Sequence, residues 1–65
     1  MSYYKLSYKK KSIIVLFHKM PAKVDGITLK GLNFMSEDVI CINTLVPKRD
    51  TRRVFHKLIK KLFNN

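Results

Sequence analysis

Arg52-Arg53-Val54-Phe55-His56-Lys57-Leu58-Ile59-Lys60-Lys61-Leu62-Phe63 decides how this chain folds. Val54, Phe55, Leu58, Ile59, Leu62 and Phe63 fall in pairs four residues apart. Arg52, Arg53, His56, Lys57, Lys60 and Lys61 fill the gaps in the same rhythm. A repeat of 3.6 residues turns this pattern into one apolar stripe and one cationic stripe on a single helix. The late lysines also suit the negative end of the helix dipole. Upstream, Pro47 fits the first turn of a helix, and Asp50 or Thr51 fits a capping position. An apolar stripe on a helix needs a surface to cover, so the rest of the chain must supply one.

That surface reads as strands. Ser12–His18 is rich in β-branched residues and reads as a strand buried on both faces or at the centre of a sheet. Met20-Pro21 ends it, because proline cannot donate to a ladder. Asp25-Gly26 is a turn signal. Ile27-Thr28-Leu29-Lys30 alternates apolar and polar residues as a second strand, and Asp38–Asn43 is a third. These two are expected to pair antiparallel across a loop from Gly31 to Glu37, with Leu32 and Phe34 folding back on the core. In residues 1–11, Tyr4, Leu6 and Tyr8 alternate with polar residues, which fits either an edge strand or a loose arm. The expectation is one α+β domain over residues 1–65: a small three-stranded antiparallel sheet packed by one C-terminal amphipathic helix.

Sixty-five residues give a thin core, and one cysteine gives no internal disulfide to support it. Cys41 lies inside Val39-Ile40-Cys41-Ile42 and reads as a small buried hydrophobe. A lone cysteine suits a reducing compartment, so the expected location is cytoplasmic. The longest apolar run, Ile13–Phe17, is far shorter than a membrane span, and no cleavage site follows the basic stretch before it.

Fourteen Lys and Arg against four Asp and Glu give a net charge of +10. That balance favours an anionic partner, either an acidic protein surface or nucleic acid. The candidate contact residues are Lys9, Lys10, Lys11, Lys48, Arg49, Arg52, Arg53, Lys57, Lys60 and Lys61. Tyr3, Tyr4 and Tyr8 add stacking surfaces if one strand face is open. The final helix also has the pattern of an interfacial membrane helix, but a domain this small needs that stripe for its core.

Catalytic constellations are missing from this reading. His18, His56, Cys41 and four scattered carboxylates form no recognisable zinc set, and no nucleophile–histidine spacing can be argued. Gly26 and Gly31 are the only glycines, so no phosphate-cradling loop is present. No catalytic residue, metal or cofactor is expected.

One resemblance runs through these segments. His18-Lys19-Met20-Pro21-Ala22-Lys23-Val24-Asp25-Gly26-Ile27 resembles the L-P-x-x-x-x-G segment of the ImmA/IrrE metallopeptidase family. Asp38-Val39-Ile40-Cys41-Ile42-Asn43 is similar to that family's I-x-I-N strand. In the family a helix with the zinc motif H-E-x-x-H follows, and His56 falls near its first position. The likeness covers residues 13 to about 62 and rests on the order and spacing of short, degenerate pieces. Aligned on His56, the family's Glu is Lys57 and its second His is Lys60. Lysine at both positions removes a ligand and the general base. The chain ends five residues past Lys60, so no third ligand is expected. The resemblance therefore implies a shortened, non-catalytic relative, and the family's setting implies a mobile-element protein that binds a regulator without cutting it.

Overall fold

The computed structural model describes residues 3–31 and 37–64. It contains β1 (Tyr3–Tyr8), β2 (Lys11–His18), β3 (Gly26–Leu29), β4 (Asp38–Asn43) and, after a 3-10 turn at Lys48–Asp50, the helix α1 (Thr51–Phe63). The architecture is α+β, with one sheet and one C-terminal helix packed against it.

The sheet corrects the three-stranded antiparallel expectation in two respects. It has four strands in the order β1-β2-β4-β3, and its central pair is parallel. The extra strand is β1, which joins β2 through a two-residue turn at Lys9-Lys10 and pairs with it from Tyr3↔Leu16 to Tyr8↔Lys11. Both turn lysines adopt left-handed backbone, with φ of 52° and 66°. That conformation matches the twist of the flanking strands, although Asn and Gly usually supply it. The parallel pair has a topological cause. After β2 the chain passes over one strand position to reach β3, and β4 then returns into the gap. β4 is thus antiparallel to β3, as expected, and parallel to β2.

Partner residues across a ladder share a sheet face. One face carries Leu6, Ile13, Val15, Ile40 and Ile42, and α1 lies on this side, over β4 and β3. Val54, Leu58, Ile59 and Leu62 of the predicted apolar stripe are buried there with Ile13, Val15, Ile40 and Ile42. Phe55 and Phe63 pack half-buried at the margin. The centre of the stripe is thus spent on the core. No helix is long and apolar enough to cross one among the described residues.

Gly26 serves packing rather than turning. It is the first residue of β3, its φ is not positive, and the turn lies earlier at Ala22-Lys23. A Cβ at Gly26 would stand 2.5 Å from the Cys41 carbonyl oxygen and 2.8 Å from Leu58 Cδ1. Only a glycine lets the helix approach the sheet this closely. Similarly, Pro47 precedes the 3-10 turn, and Asp50 stands at the N-cap without a capping side-chain bond. The expected return of Leu32 and Phe34 to the core lies outside the described residues.

Two buried polar residues hold the strand ends. Asn43, at the end of β4, accepts through Oδ1 from the amides of Met20 and Leu45. Its Nδ2 faces the carbonyls of Met20, Pro21 and Val24 at 3.2, 3.1 and 2.6 Å. At the start of β4, Asp38 Oδ1 accepts from the Gly31 amide at 2.8 Å. Its Oδ2 lies 3.0 Å from Lys11 Nζ, a contact that is short enough for an ion pair but poorly directed for a hydrogen bond. Burial alone would raise the Asp38 pKa; the Gly31 amide and the Lys11 and Lys30 cations outweigh it and hold the carboxyl below its ordinary 3.8.

Two predictions follow from these anchors. Asn43→Ala leaves the Met20 and Leu45 amides and the Met20 and Val24 carbonyls without these partners, and should lower unfolding free energy by about 2–4 kcal/mol, read from urea midpoints. Asp38→Asn keeps an acceptor for Gly31 but loses the charge opposite Lys11, and should cost about 1–3 kcal/mol at pH 7. A depressed carboxylate pKa stabilises the fold above its unfolded value and loses that contribution as pH falls through the folded value. The gap between wild type and Asp38→Asn should therefore close below pH 3.8. A gap that stays constant down to full protonation would show that Lys11 contributes nothing.

A candidate anion-binding surface

All four carboxylates of the chain are engaged by cations. Lys57 Nζ reaches Asp25 Oδ2 at 2.7 Å, and Lys5 reaches Glu37 at 3.3 Å. Lys11 pairs with Asp38, and Arg53 stands 4.0 Å from Asp50. The hydrogen bond and charge of Lys57 hold Asp25 below the ordinary carboxylate range. For Glu37 the Ser12 hydroxyl and Lys5 do the same. Asp25, Glu37 and Asp38 are thus stabilised in their charged form, the reverse of what a general acid near neutrality needs. Burial raises the Cys41 thiol, which keeps it protonated and unreactive. Among the described residues no three His, Cys, Asp or Glu side chains gather as a metal site.

The ten candidate cations separate into two roles. Lys11, Arg53 and Lys57 lie within ion-pair distance of carboxylates of their own chain, Lys11 beside the buried Asp38 and the other two on the exposed surface. Lys57 in particular joins the exposed side of α1 to the loop before β3. Lys10, Lys48, Arg49, Arg52, Lys60 and Lys61 are exposed and have no ion-pair partner among the described residues. Lys9 lies over the Tyr8 ring, 5.6 Å from its centre. Tyr8 in turn packs on Phe63, with ring centres 5.4 Å apart. This contact brings the Lys9-Lys10 turn to the end of α1 that carries Lys60 and Lys61. Lys48, Arg49 and Arg52 stand at the other end.

The two histidines are separate. His18 is exposed at the end of β2, and His56 is exposed on α1 with its ring steeply inclined to that of Phe55, 5.8 Å between centres. One turn after His56, on the same side of the helix, comes Lys60. Where the family-like spacing would put two imidazoles, the chain presents an imidazole and an ammonium.

Beside the cations at the start of α1 lies a feature that the sequence reading missed. An open cleft of about 540 Å³ is walled by Tyr4, Phe17, Ile42 and Phe55, with Lys48 and Arg52 at its rim and Thr51 between them. A second hollow of about 470 Å³ shares Phe17, Lys48 and Thr51 with it. Its origin is geometric. Strands about 4.8 Å apart make a four-stranded sheet wider than one helix about 10 Å across. Because α1 sits over β4 and β3, the inner face of β1 and the end of β2 are left partly bare. The signal was present in Phe55 and Phe17, two large apolar residues at the margins of their periodic patterns. Only the strand order shows that they meet.

The three tyrosines do not form one stacking surface. Tyr4 and Tyr8 share the helix-side face, Tyr3 points to the other, and Tyr8 is occupied by Phe63. Comparison with family models, curated proteins and solved structures finds no match.

The Lys9-Lys10 turn yields a stability prediction. Left-handed backbone at two lysines costs about 1 kcal/mol or more each relative to residues that favour it. Replacing Lys9-Lys10 by Asn-Gly should raise the unfolding free energy by about 1 kcal/mol, read by thermal or urea unfolding. No gain would mean that the cations, through the Tyr8 contact, offset the strain.

Proposed function

We propose that this chain is a non-catalytic binding protein that engages an acidic protein partner through the cations on and just before α1. The observation that carries this reading is the pairing of Lys48 and Arg52, both exposed and without an ion-pair partner, with an apolar cleft walled by Tyr4, Phe17 and Phe55. A protein segment with carboxylates beside an aromatic or aliphatic side chain satisfies both features at once. The carboxylates meet Lys48 and Arg52, and the apolar side chain fills the cleft. Arginine and aromatic residues are the usual anchors of protein interfaces, and unlike charge speeds encounter.

The catalytic alternative has little support. Asp25, Glu37 and Asp38 are held ionised by their own partners, and Lys57 and Lys60 occupy the positions where the ImmA/IrrE-like spacing would need a glutamate and a histidine. That resemblance supports a shortened relative from a mobile element, acting in the cytoplasm on the same class of regulator without cleaving it. Nucleic acid is the competing partner, since phosphates would also be drawn to Lys9, Lys10, Lys60 and Lys61. The protein reading is favoured because the tyrosines are split between two faces and the free cations cluster at the two ends of α1.

The test is capture from a native-host lysate by wild type and by the Lys48→Glu/Arg52→Glu double variant, each with and without nuclease. The expected outcome is a protein that survives nuclease treatment and is lost with the double variant. Recovery of nucleic acid alone, or equal capture by both forms, would refute the proposal.

A further inference from the structure

We propose that the sheet face opposite α1 is a self-association surface, through which two copies of this chain stack face to face. Four observations carry it. First, the register places Tyr3, Leu16, Cys41 and Ile27 in one row across all four strands, and Lys5, Ile14, Val39 and Leu29 in the next. Seven of these eight residues are apolar or aromatic, and α1 covers none of them, because it lies on the other side. Tyr3, Ile27 and Leu29 remain 63%, 45% and 56% exposed.

Second, the central pair of the sheet is parallel. In all-parallel sheets both faces are covered and the strands run apolar without alternation. Ile13-Ile14-Val15-Leu16-Phe17 and Val39-Ile40-Cys41-Ile42 have that composition, although α1 covers only one of the two faces. On the second face Cys41 is buried and Ile14, Leu16 and Val39 are half-buried, whereas Tyr3, Ile27 and Leu29 on the outer strands stay exposed.

Third, the charge distribution identifies the cover. Lys5 is the one lysine or arginine side chain that the strand register puts on this face. It is neutralised by Glu37 at 3.3 Å, which also accepts from the Ser12 hydroxyl at 2.8 Å. On a chain of net charge +10 this face carries no unbalanced lysine or arginine charge, so it has no particular affinity for an acidic partner. An identical apolar, charge-balanced face suits it, and stacking turns both α1 cation surfaces outward, to opposite sides of the pair.

Fourth, the dimensions suffice. The backbone fills a slab of 32 × 24 × 17 Å, so a broad side is comparable with the ~800 Å² per partner of a standard interface. Two such sheets would pack about 10 Å apart around a two-fold axis, each copy giving the other the same residues.

The experiment is sedimentation velocity of the whole chain across a concentration series, at about 50 and 500 mM salt. The expected result is a monomer–dimer equilibrium that tightens at high salt, since screening relieves repulsion between two +10 bodies. Leu29→Lys and Ile27→Lys lie exposed on an edge strand. Each should weaken the dimer at least tenfold, with circular dichroism and melting temperature close to wild type. Arg52→Glu, on the helix side, should leave dimerisation through this face intact. A chain that stays monomeric at the highest concentration in both salts would overturn the proposal. So would a dimer that Leu29→Lys and Ile27→Lys both leave unchanged, or one that Arg52→Glu abolishes. The proposed acidic partner is read separately, because its binding should weaken with salt and depend on Lys48 and Arg52.

Discussion

The side chain of Asn43 decides whether this topology holds together. The chain from β2 to β3 must arch across the end of β4, a strand that arrives later in sequence. An arch of this kind exposes backbone carbonyls that no ladder can satisfy. Asn43 shares the two hydrogens of its amide nitrogen among three of them and accepts from two backbone amides with its oxygen. Asparagine has a donor group and an acceptor at one position, so it can serve both. Aspartate would offer only acceptors to three carbonyls. The arch fixes where β3 lies, β3 fixes the gap that β4 fills, and the parallel β2–β4 pair follows.

Two sides with different chemistry result from that parallel pair. One side buries Ile13, Val15, Ile40 and Ile42 beneath α1 and sends the cations outward from the helix. The other spreads a nearly uncharged apolar sheet. The four carboxylates are used as braces: Asp25 for the helix, Asp38 for the start of β4, Glu37 for the sheet face and Asp50 for the entry to α1. The positive excess therefore remains unpaired and is displayed mainly by the helix, the Lys9-Lys10 turn and the arch. In a domain this small, with no disulfide, such braces matter because the core is only one layer thick.

The parts legible in the sequence are those set by local periodicity. The spacing of Val54, Leu58 and Leu62 predicts α1, and the apolar run ending in Asn43 predicts β4 with its observed bounds. The parts hidden from it depend on partners far along the chain. Lys9-Lys10 carries no residue typical of a tight turn, so the pairing of β1 was left open between strand and arm. Gly26 is conspicuous beside Asp25, but its role comes from Leu58 and Cys41, which sequence distance conceals. Among the candidate cations, only contacts spanning 27 and 32 residues assign Lys11 and Lys57 to bracing rather than binding. The cleft was hidden for the same reason, since Tyr4, Phe17 and Phe55 meet only once the strand order is known.

Lys57 ties the proposed loss of catalysis to the fold itself. In a metallopeptidase-like helix this position would carry a glutamate serving a bound water. Here its side chain is drawn away to Asp25, which lies in the arch just before β3. A glutamate at the same place would set a second carboxylate against Asp25, and the two would repel or force one to take a proton. The Lys57–Asp25 pair and a general base at position 57 are therefore mutually exclusive arrangements of the same contact. The charge of Lys57 is thus directed at Asp25, whereas Arg52, Lys60 and Lys61 of the same helix are exposed without an ion-pair partner among the described residues.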